Sequence, residues 1–392
     1  RQQVFLTLGT LLYPVRDSGA MTAKSLDRLP LAPVDWRGFF LGGQFAHGST
    51  AIHGSGLRDQ NLDQGEYANE GNGAGVFAGY GLSYDRWYVG IEGEADDASV
   101  DLYHNKNKGE SRTLSVERGE SYGVSLRGGY RVAGGELLYL RLGRARTDFD
   151  TYYTVNETPQ NAADQTYTQD GTRYGVGTDI PAGKNVFIRL DYSHTDYDDF
   201  TTELGTTTEQ MTPADSYFRL GLGWQFGGNE PSVPAAPVPD IRGFYAGALV
   251  GHGSIKSHAT GTHSDGGGAD AGPFDFNGDF GHNAGVTGGA FAGWGTTSQN
   301  WYGGIEATAE SSTAAWTHVK SPEGRNFSVE KKDTYGLGLR GGYQLRSGTL
   351  LYARADRVRT RFNSTWVKGG NRDNDVDRDD RVRPARLHEA AQ

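Results

Sequence analysis

Taking every second residue separates two faces along Ser216–Phe226, S-Y-F-R-L-G-L-G-W-Q-F. Phe218, Leu220, Leu222, Trp224 and Phe226 form an apolar row. Tyr217, Arg219, Gly221, Gly223 and Gln225 form a row of small, polar and charged residues. A side-chain period of two predicts a strand with one greasy and one wet face. The same alternation recurs at Gly38–Phe45, Gly75–Tyr84, Trp87–Ala95, Tyr122–Val132, Glu136–Phe149, Arg173–Ile180 and Val186–Ser193, which makes eight predicted strands. Long polar stretches at Gly48–Asn72, Asp96–Glu120, Asp150–Gly171 and Asp196–Asp215 predict loops. Short turns at Asp85-Arg86, Ala133-Gly134-Gly135 and Pro181–Lys184 alternate with them. An even strand count with this long–short rhythm predicts an all-β, eight-stranded antiparallel barrel spanning a membrane, greasy face to lipid. Eight strands enclose room only for side chains, so no wide pore is expected.

The chain then starts again. Gly227–Asp240 contains P-S-V-P-A-A-P-V-P and reads as a semi-rigid linker. Arg37-Gly38-Phe39 recurs as Arg242-Gly243-Phe244, and W-Y-x-G-I-E at Trp87–Glu92 recurs at Trp301–Glu306. Tyr122–Tyr130 recurs at Tyr335–Tyr343, and Leu137–Arg141 at Leu350–Arg354. Near-constant spacing predicts a tandem repeat. Its second copy shows five strands, at Gly243–Val250, Gly285–Gly295, Trp301–Ala309, Tyr335–Leu345 and Thr349–Phe362. Five strands leave an open edge, which lipid does not tolerate. A truncated sequence, a completing partner chain, or a merger of both copies into one larger barrel would each resolve this. The expected organisation is an N-terminal arm over 1–34, a first barrel over 35–226, a linker over 227–240, a partial second barrel over 241–369, and a charged disordered tail over 370–392. Arg1–Ala20 reads either as the remnant of a signal peptide or as part of a loosely docked arm.

Composition narrows the class. Glycine contributes 59 of 392 residues while hydrophobic residues reach only 36%, which is little for a large soluble core and ordinary for a barrel. No apolar run of about 18 residues predicts a helical span. The absence of cysteine excludes disulfides and thiolate metal sites, and a net charge of −10 argues against nucleic acid as a partner.

Ser216–Phe226 also resembles the closing-strand signal of bacterial outer-membrane barrels, with Arg219, Gly221, Trp224 and Phe226 in the polar, glycine and two aromatic places. With W-R-G-F-F-L-G-G at Trp36–Gly43, I-R-G-F-Y-A-G at Ile241–Gly247 and the W-Y-x-G-I-E blocks, the chain resembles the alphaproteobacterial opacity-type porin, or outer-membrane β-barrel, family. That family includes hemin-binding members. The resemblance implies the outer membrane of a Gram-negative bacterium. It also implies outer-membrane lipid, lipopolysaccharide and the barrel-assembly machinery as partners, with a host or neighbouring-cell surface ligand and a homo-oligomer as further expectations. A structural or surface-contact role follows; porin-like transport and heme or metal reception are the alternatives. The resemblance brings no catalytic motif, and no phosphate loop, nucleophile elbow or zinc motif appears, so neither an enzyme nor a cofactor is expected.

Candidate chemistry lies on the wet face: Glu92, Glu94, Arg127, Arg131, Arg141, Arg173, Asp179, Arg189, Asp191 and Arg219. In a narrow barrel such charges must pair, since an unpaired buried charge is costly. A structural ion-pair network is therefore predicted; a gated ion path is the sharper alternative. Glu306, Arg340 and Arg354 align with Glu92, Arg127 and Arg141. Glu92 and Glu94 as a glycosidase pair are set aside, because they share one face among arginines. Arg144 and Arg146, with Arg357 and Arg359 in the repeat, continue the lipid-facing parity and are predicted as rim arginines facing lipopolysaccharide phosphates, with plain solvation as the alternative. His252, His258 and His263 are the heme or metal candidates, although their spacing matches no tight ligand motif.

Overall fold

A computed structural model describes residues 35–58, 61–108, 110–132, 135–160, 164–183, 185–204, 207–226, 241–264, 273–282, 285–320, 325–344, 350–368 and 371–373. The expected N-terminal arm, the proline linker and residues 374–392 of the expected tail lie outside them. Every regular element among the described residues is a strand. The first part contains β1 (Gly38–Arg58), β2 (Asn61–Tyr84), β3 (Trp87–Lys108), β4 (Glu110–Arg131), β5 (Leu137–Val155), β6 (Thr158–Pro159), β7 (Gln165–Pro181), β8 (Val186–Tyr197), β9 (Phe200–Leu204) and β10 (Thr207–Gln225). The second part contains β11 (Gly243–His252), β12 (Ile255–Ser264), β13 (Pro273–His282), β14 (Val286–Ser298), β15 (Trp301–Ser312), β16 (Ala315–Lys320), β17 (Arg325–Gln344), β18 (Leu350–Lys368) and β19 (Asn371–Asp373).

Antiparallel pairing runs from β1 to β2, β3, β4, β5, β7, β8 and β10, and β10 returns to β1 along the whole ladder from Phe40↔Gln225 to Leu57↔Thr208. The pairings close into a ring up to Asn72↔Ser99, above which β2 and β3 no longer pair with each other. Asp85 (φ 53°) makes the tight turn between β2 and β3, and Gln299 (φ 57°) makes its counterpart between β14 and β15.

The four long loops expected from sequence are corrected: they are mostly strand. At about 3.3 Å per residue and a tilt of roughly 40°, the 21 residues of β1 climb about 50 Å, twice the ~25 Å height of a lipid-facing belt. Two levels result. In the lower belt the outward row is apolar and exposed, including Val89, Ile91, Val124, Leu126, Leu140, Leu142 and Leu222, with Trp87, Trp224 and Phe226 near its lower margin. Above it the pattern inverts. Ile52, Val100, Leu102, Val116, Phe149 and Met211 pack inward as one apolar cluster, while outward positions such as Asp148 and Thr168 hydrogen-bond each other at 2.6 Å. The polar residues that look like loops are the wet outer face of strands standing in water.

A second device hides in β4. Its pairing with β5 shifts register between Arg118 and Ser121, and its pairing with β3 shifts at the same level, between Asp97 and Val100 of β3. The bulge flips the side-chain parity, so Ser121, Gly123, Ser125 and Arg127 point inward below it and Arg118 and Val116 point inward above it. β17 carries the same shift between Lys331 and Thr334.

In the second part, β11, β14, β15, β17 and β18 pair in that order. The five-strand expectation is corrected in three respects. β12 and β13 form an additional hairpin, and β16 adds a short strand to β17. Residues 371–373, expected in the disordered tail, pair with Trp366–Lys368. The two parts are also joined in one sheet, by β13 to β3 and by β16 to β2.

Candidate functional site

The interior of the first part is built in three layers. At the short-turn end Trp36, Phe40, Phe77, Tyr88, Leu137, Tyr139 and Phe187 form an aromatic plug. Trp36 Nε1 donates to the Gly135 carbonyl at 3.0 Å, tying the residue before β1 to the β4–β5 turn. Glycines make room for these rings. A Cβ on Gly223 would lie 2.1 Å from the Phe187 ring, and one on Gly79 would lie 2.5 Å from Phe40.

Above the plug lies a charge layer. Arg127 lies 3.0 Å from Glu92 and 2.6 Å from Asp179, and Arg189 lies 2.8 Å from Glu92 and 2.9 Å from Asp179. Arg141 lies 2.6 Å from Glu94 and 3.1 Å from Asp191. Arg173 bonds Glu94 closely, and Arg219 stands 3.6 Å from Asp96 and 3.7 Å from Asp191. The layer ends upward at Arg118, 2.8 Å from Asp96 and 3.0 Å from Asp215. Six guanidiniums thus meet six carboxylates, all buried. Opposite charges at this spacing, with charge-assisted hydrogen bonds between them, offset the desolvation that burial imposes. The layer also rests on the plug, with Arg127 3.6 Å above the Tyr139 ring and Arg189 3.8 Å above Phe77.

The third layer is the apolar cluster around Phe149, whose ring stacks on Phe200 and meets Tyr197 edge-on. Tyr197 donates to Asp215 at 2.8 Å, and burial pushes its hydroxyl up to about 12, so it remains a donor.

Arg118, Asp96 and Asp215 were not among the sequence candidates. Asp96 and Asp215 fall one residue beyond the strand ends that lipid-level alternation defines. Arg118 is hidden by the bulge. Its counterpart by repeat spacing is Lys331, also buried. Arg131 turns away from the layer, its Nη2 donating to the Asp85 carbonyl at 3.1 Å in the lower turn.

In the second part Arg354 lies 2.7 Å from Glu306, and Arg340 bonds Glu306 closely. Arg354 also meets Asp356 at 2.6 Å. Arg144, Arg146, Arg357 and Arg359 are exposed. Arg146 engages Asp170 with two bonds, 2.9 and 3.1 Å, and that pairing holds the Asp170 carboxyl below its ordinary range. Arg144 donates to Thr172 at 2.9 Å. Arg219 and Gly221 of the closing strand face inward, while Trp224 and Phe226 face outward. Phe226 packs against Phe39 across the β10–β1 ladder, with ring centroids 5.6 Å apart. The histidine candidates do not converge: His252 meets Tyr192 at 2.8 Å, His258 meets Asp279 at 2.8 Å, and the His263 side chain lies outside the described residues. Among the described residues no cluster of three or more His, Asp or Glu is arranged to hold a metal.

The family profile described as outer membrane protein beta-barrel domain matches residues 22–226. No curated protein matches the sequence. Similar solved structures include OprG from Pseudomonas aeruginosa, at 13% identity over 48% of this chain and 96% of that chain, TM-score 0.31. Neisserial surface protein A is 16% identical over 46% of this chain and 97% of that chain, TM-score 0.25. The β domain of the Bordetella autotransporter BrkA is 11% identical over 83% and 95%, TM-score 0.28. These values are low, and the family match carries the assignment. It spans more than half of the chain and ends on the strand that closes the β1–β10 ladder, so the chain belongs to the outer membrane protein β-barrel domain family and is a protein of the Gram-negative outer membrane.

Proposed function

We propose that residues 35–226 form an eight-stranded transmembrane barrel with a sealed lumen, and that residues 241–369 are a second, incomplete copy of it. The protein is non-enzymatic, and its work is structural and surface contact by the half of the barrel that stands above the lipid belt. The carrying observation is the filled interior: a plug, a balanced charge layer and an apolar cluster stacked in succession. The charge layer locks the wall, as unpaired members would be expelled or neutralised. The upper strands present a stiff polar surface to the medium, which suits contact with a host or neighbouring-cell ligand. Arg144 and Arg357 stand at the upper margin of the belt, where a guanidinium fork suits lipopolysaccharide phosphate. Arg146 is already engaged by Asp170. Assembly by the barrel-assembly machinery is read from the closing strand.

Planar-bilayer recording of the full chain tests the sealed lumen. No stable open steps are expected; steps near nanosiemens size would return the pore reading to first place. Hemin titration tests the receptor alternative. An absorbance shift lost on replacing His252 and His258 would favour it, and no shift is expected.

A further inference from the structure

In the first part β2 and β3 pair only between Asn72↔Ser99 and Tyr84↔Trp87. Above that level they separate. β2 stays with β1 up to Arg58↔Asn61, and β3 stays with β4 up to Lys108↔Glu110. Two strands of the second part enter the split. β13 pairs with β3 at Gly278↔His104, Asn277↔Asn105 and Phe276↔Lys106. β16 pairs with β2 at His318↔Gly65, Val319↔Gln64 and Lys320↔Asp63.

The repeat shows that these are the same contact made twice. Gln64-Gly65-Glu66-Tyr67-Ala68 recurs as Asn277-Gly278-Asp279-Phe280-Gly281, and His104-x-Lys106 recurs as His318-x-Lys320. In both contacts a histidine stands opposite the glycine, and the next residue stands opposite the amide before that glycine. One further bridge, Phe280↔Tyr67, pairs a residue with its own counterpart, as a position on a two-fold axis must. Chance packing of two hairpins would not give one register twice with a self-pair at its centre. Such a contact is isologous, a patch meeting its own equivalent.

The side chains at the centre fit this geometry. Tyr67 and Phe280 stack with centroids 5.8 Å apart, and His104 and His318 flank Phe280 at 5.5 and 5.7 Å. The Glu66 carboxylate accepts the Thr317 N–H at 2.6 Å, and its counterpart Asp279 accepts from Asn69 at 3.2 Å. The split lies above the lipid belt, where strand edges left open in water would invite pairing with other chains.

We propose, resting on the tandem-repeat reading above, that the upper β2–β3 split is a self-recognition site whose partner is the equivalent split of the second copy in the same chain. Each copy opens the seam and exchanges strands with the other. The exchange welds the two copies into one body outside the membrane.

The chain has no cysteine, so introduced pairs report alone. Residues paired across an antiparallel ladder have Cα atoms about 4.5–5.5 Å apart, within reach of a disulfide. In full-length protein in outer membranes, Gln64→Cys with Val319→Cys, and Asn105→Cys with Asn277→Cys, are each expected to cross-link within one chain on mild oxidation. Gln64→Cys with Asn107→Cys, which continues the β2–β3 register upward and so reports a seam closed inside the first copy, is expected not to. Ser55→Cys with Gln210→Cys, paired across the β1–β10 ladder, reports barrel closure. If that control fails, the barrel reading itself falls. If it forms while the 64–319 pair stays open, or while the 64–107 pair closes instead, the exchange is overturned. A disulfide-linked dimer from the 64–319 pair assigns the split to a neighbouring molecule and also overturns exchange within the chain.

Discussion

The lower and upper halves of the first barrel use one set of strands and opposite rules. Below, the row facing out is greasy and the row facing in is charged. Above, Phe149, Val116 and Met211 face in, and Thr168 and Asp148 face out. Every strand of the wall but β8, which ends at Tyr197, runs through the boundary; the surrounding solvent changes from lipid to water, and the apolar row changes sides. The charge layer lies below this inversion and touches it at Arg118, the first residue above the β4 bulge. The interior is therefore filled by ion pairs where its outside is lipid and by ordinary apolar packing where its outside is water.

The sharpest way to break this contrast is to remove one guanidinium. Arg141→Leu removes the guanidinium that bridges Glu94 and Asp191 and leaves the buried layer one positive charge short, which is expected to cost about 3–5 kcal/mol, read as a lower urea midpoint of the folded, heat-modifiable band in liposomes. Phe149→Ala should cost a similar or slightly smaller amount, about 3–5 kcal/mol, by opening a cavity in the upper cluster. If the upper half were loop rather than core, that variant would be nearly silent. Leu140→Arg places a charge on the outward row at belt level and should cost about 2–4 kcal/mol in liposomes.

Lys331 sharpens the comparison through pH. It stands above the belt in the second part of the chain, between Glu330 and Lys332, which pair with each other. Burial pushes its ammonium down from 10.5 to about 8, with Glu310 opposing. Between about pH 8 and 10.5 the unfolded chain therefore holds more protons than the folded one, so stability should rise with pH across that window. Urea midpoints for the second copy, followed by fluorescence of a Trp301 reporter, should show the rise, and Lys331→Met should remove it. The smallest effect is expected from Thr212→Arg, on the outward row of the upper half, within about 0.5 kcal/mol of the parent. The same residue introduced at Leu140 and at Thr212 thus reads the position of the lipid boundary.

Much of the lower half was legible in sequence, because lipid forces a clean contrast between rows such as Leu220-Leu222-Trp224 and Arg219-Gly221-Gly223. The upper half was read as loop because water on the outside permits polar residues on that row. Short inward residues such as Ala46, Gly48 and Thr50 then leave little periodic signal. Asp96 and Asp215 were lost at that boundary. Arg118 was lost to the bulge, since parity counted along β4 assigns it to the outer row.

The sequence by itself determined the alternation, the repeat and the pool of charges that a narrow lumen must pair, since each follows from local periodicity or from identity at fixed spacing. The tertiary structure alone decided which carboxylate each arginine meets, where the apolar row changes sides and which strands fill the β2–β3 split. Those depend on residues of different strands, such as Glu92 and Arg189 or Arg118 and Asp215, being brought to one level of one wall, and no local pattern carries that information.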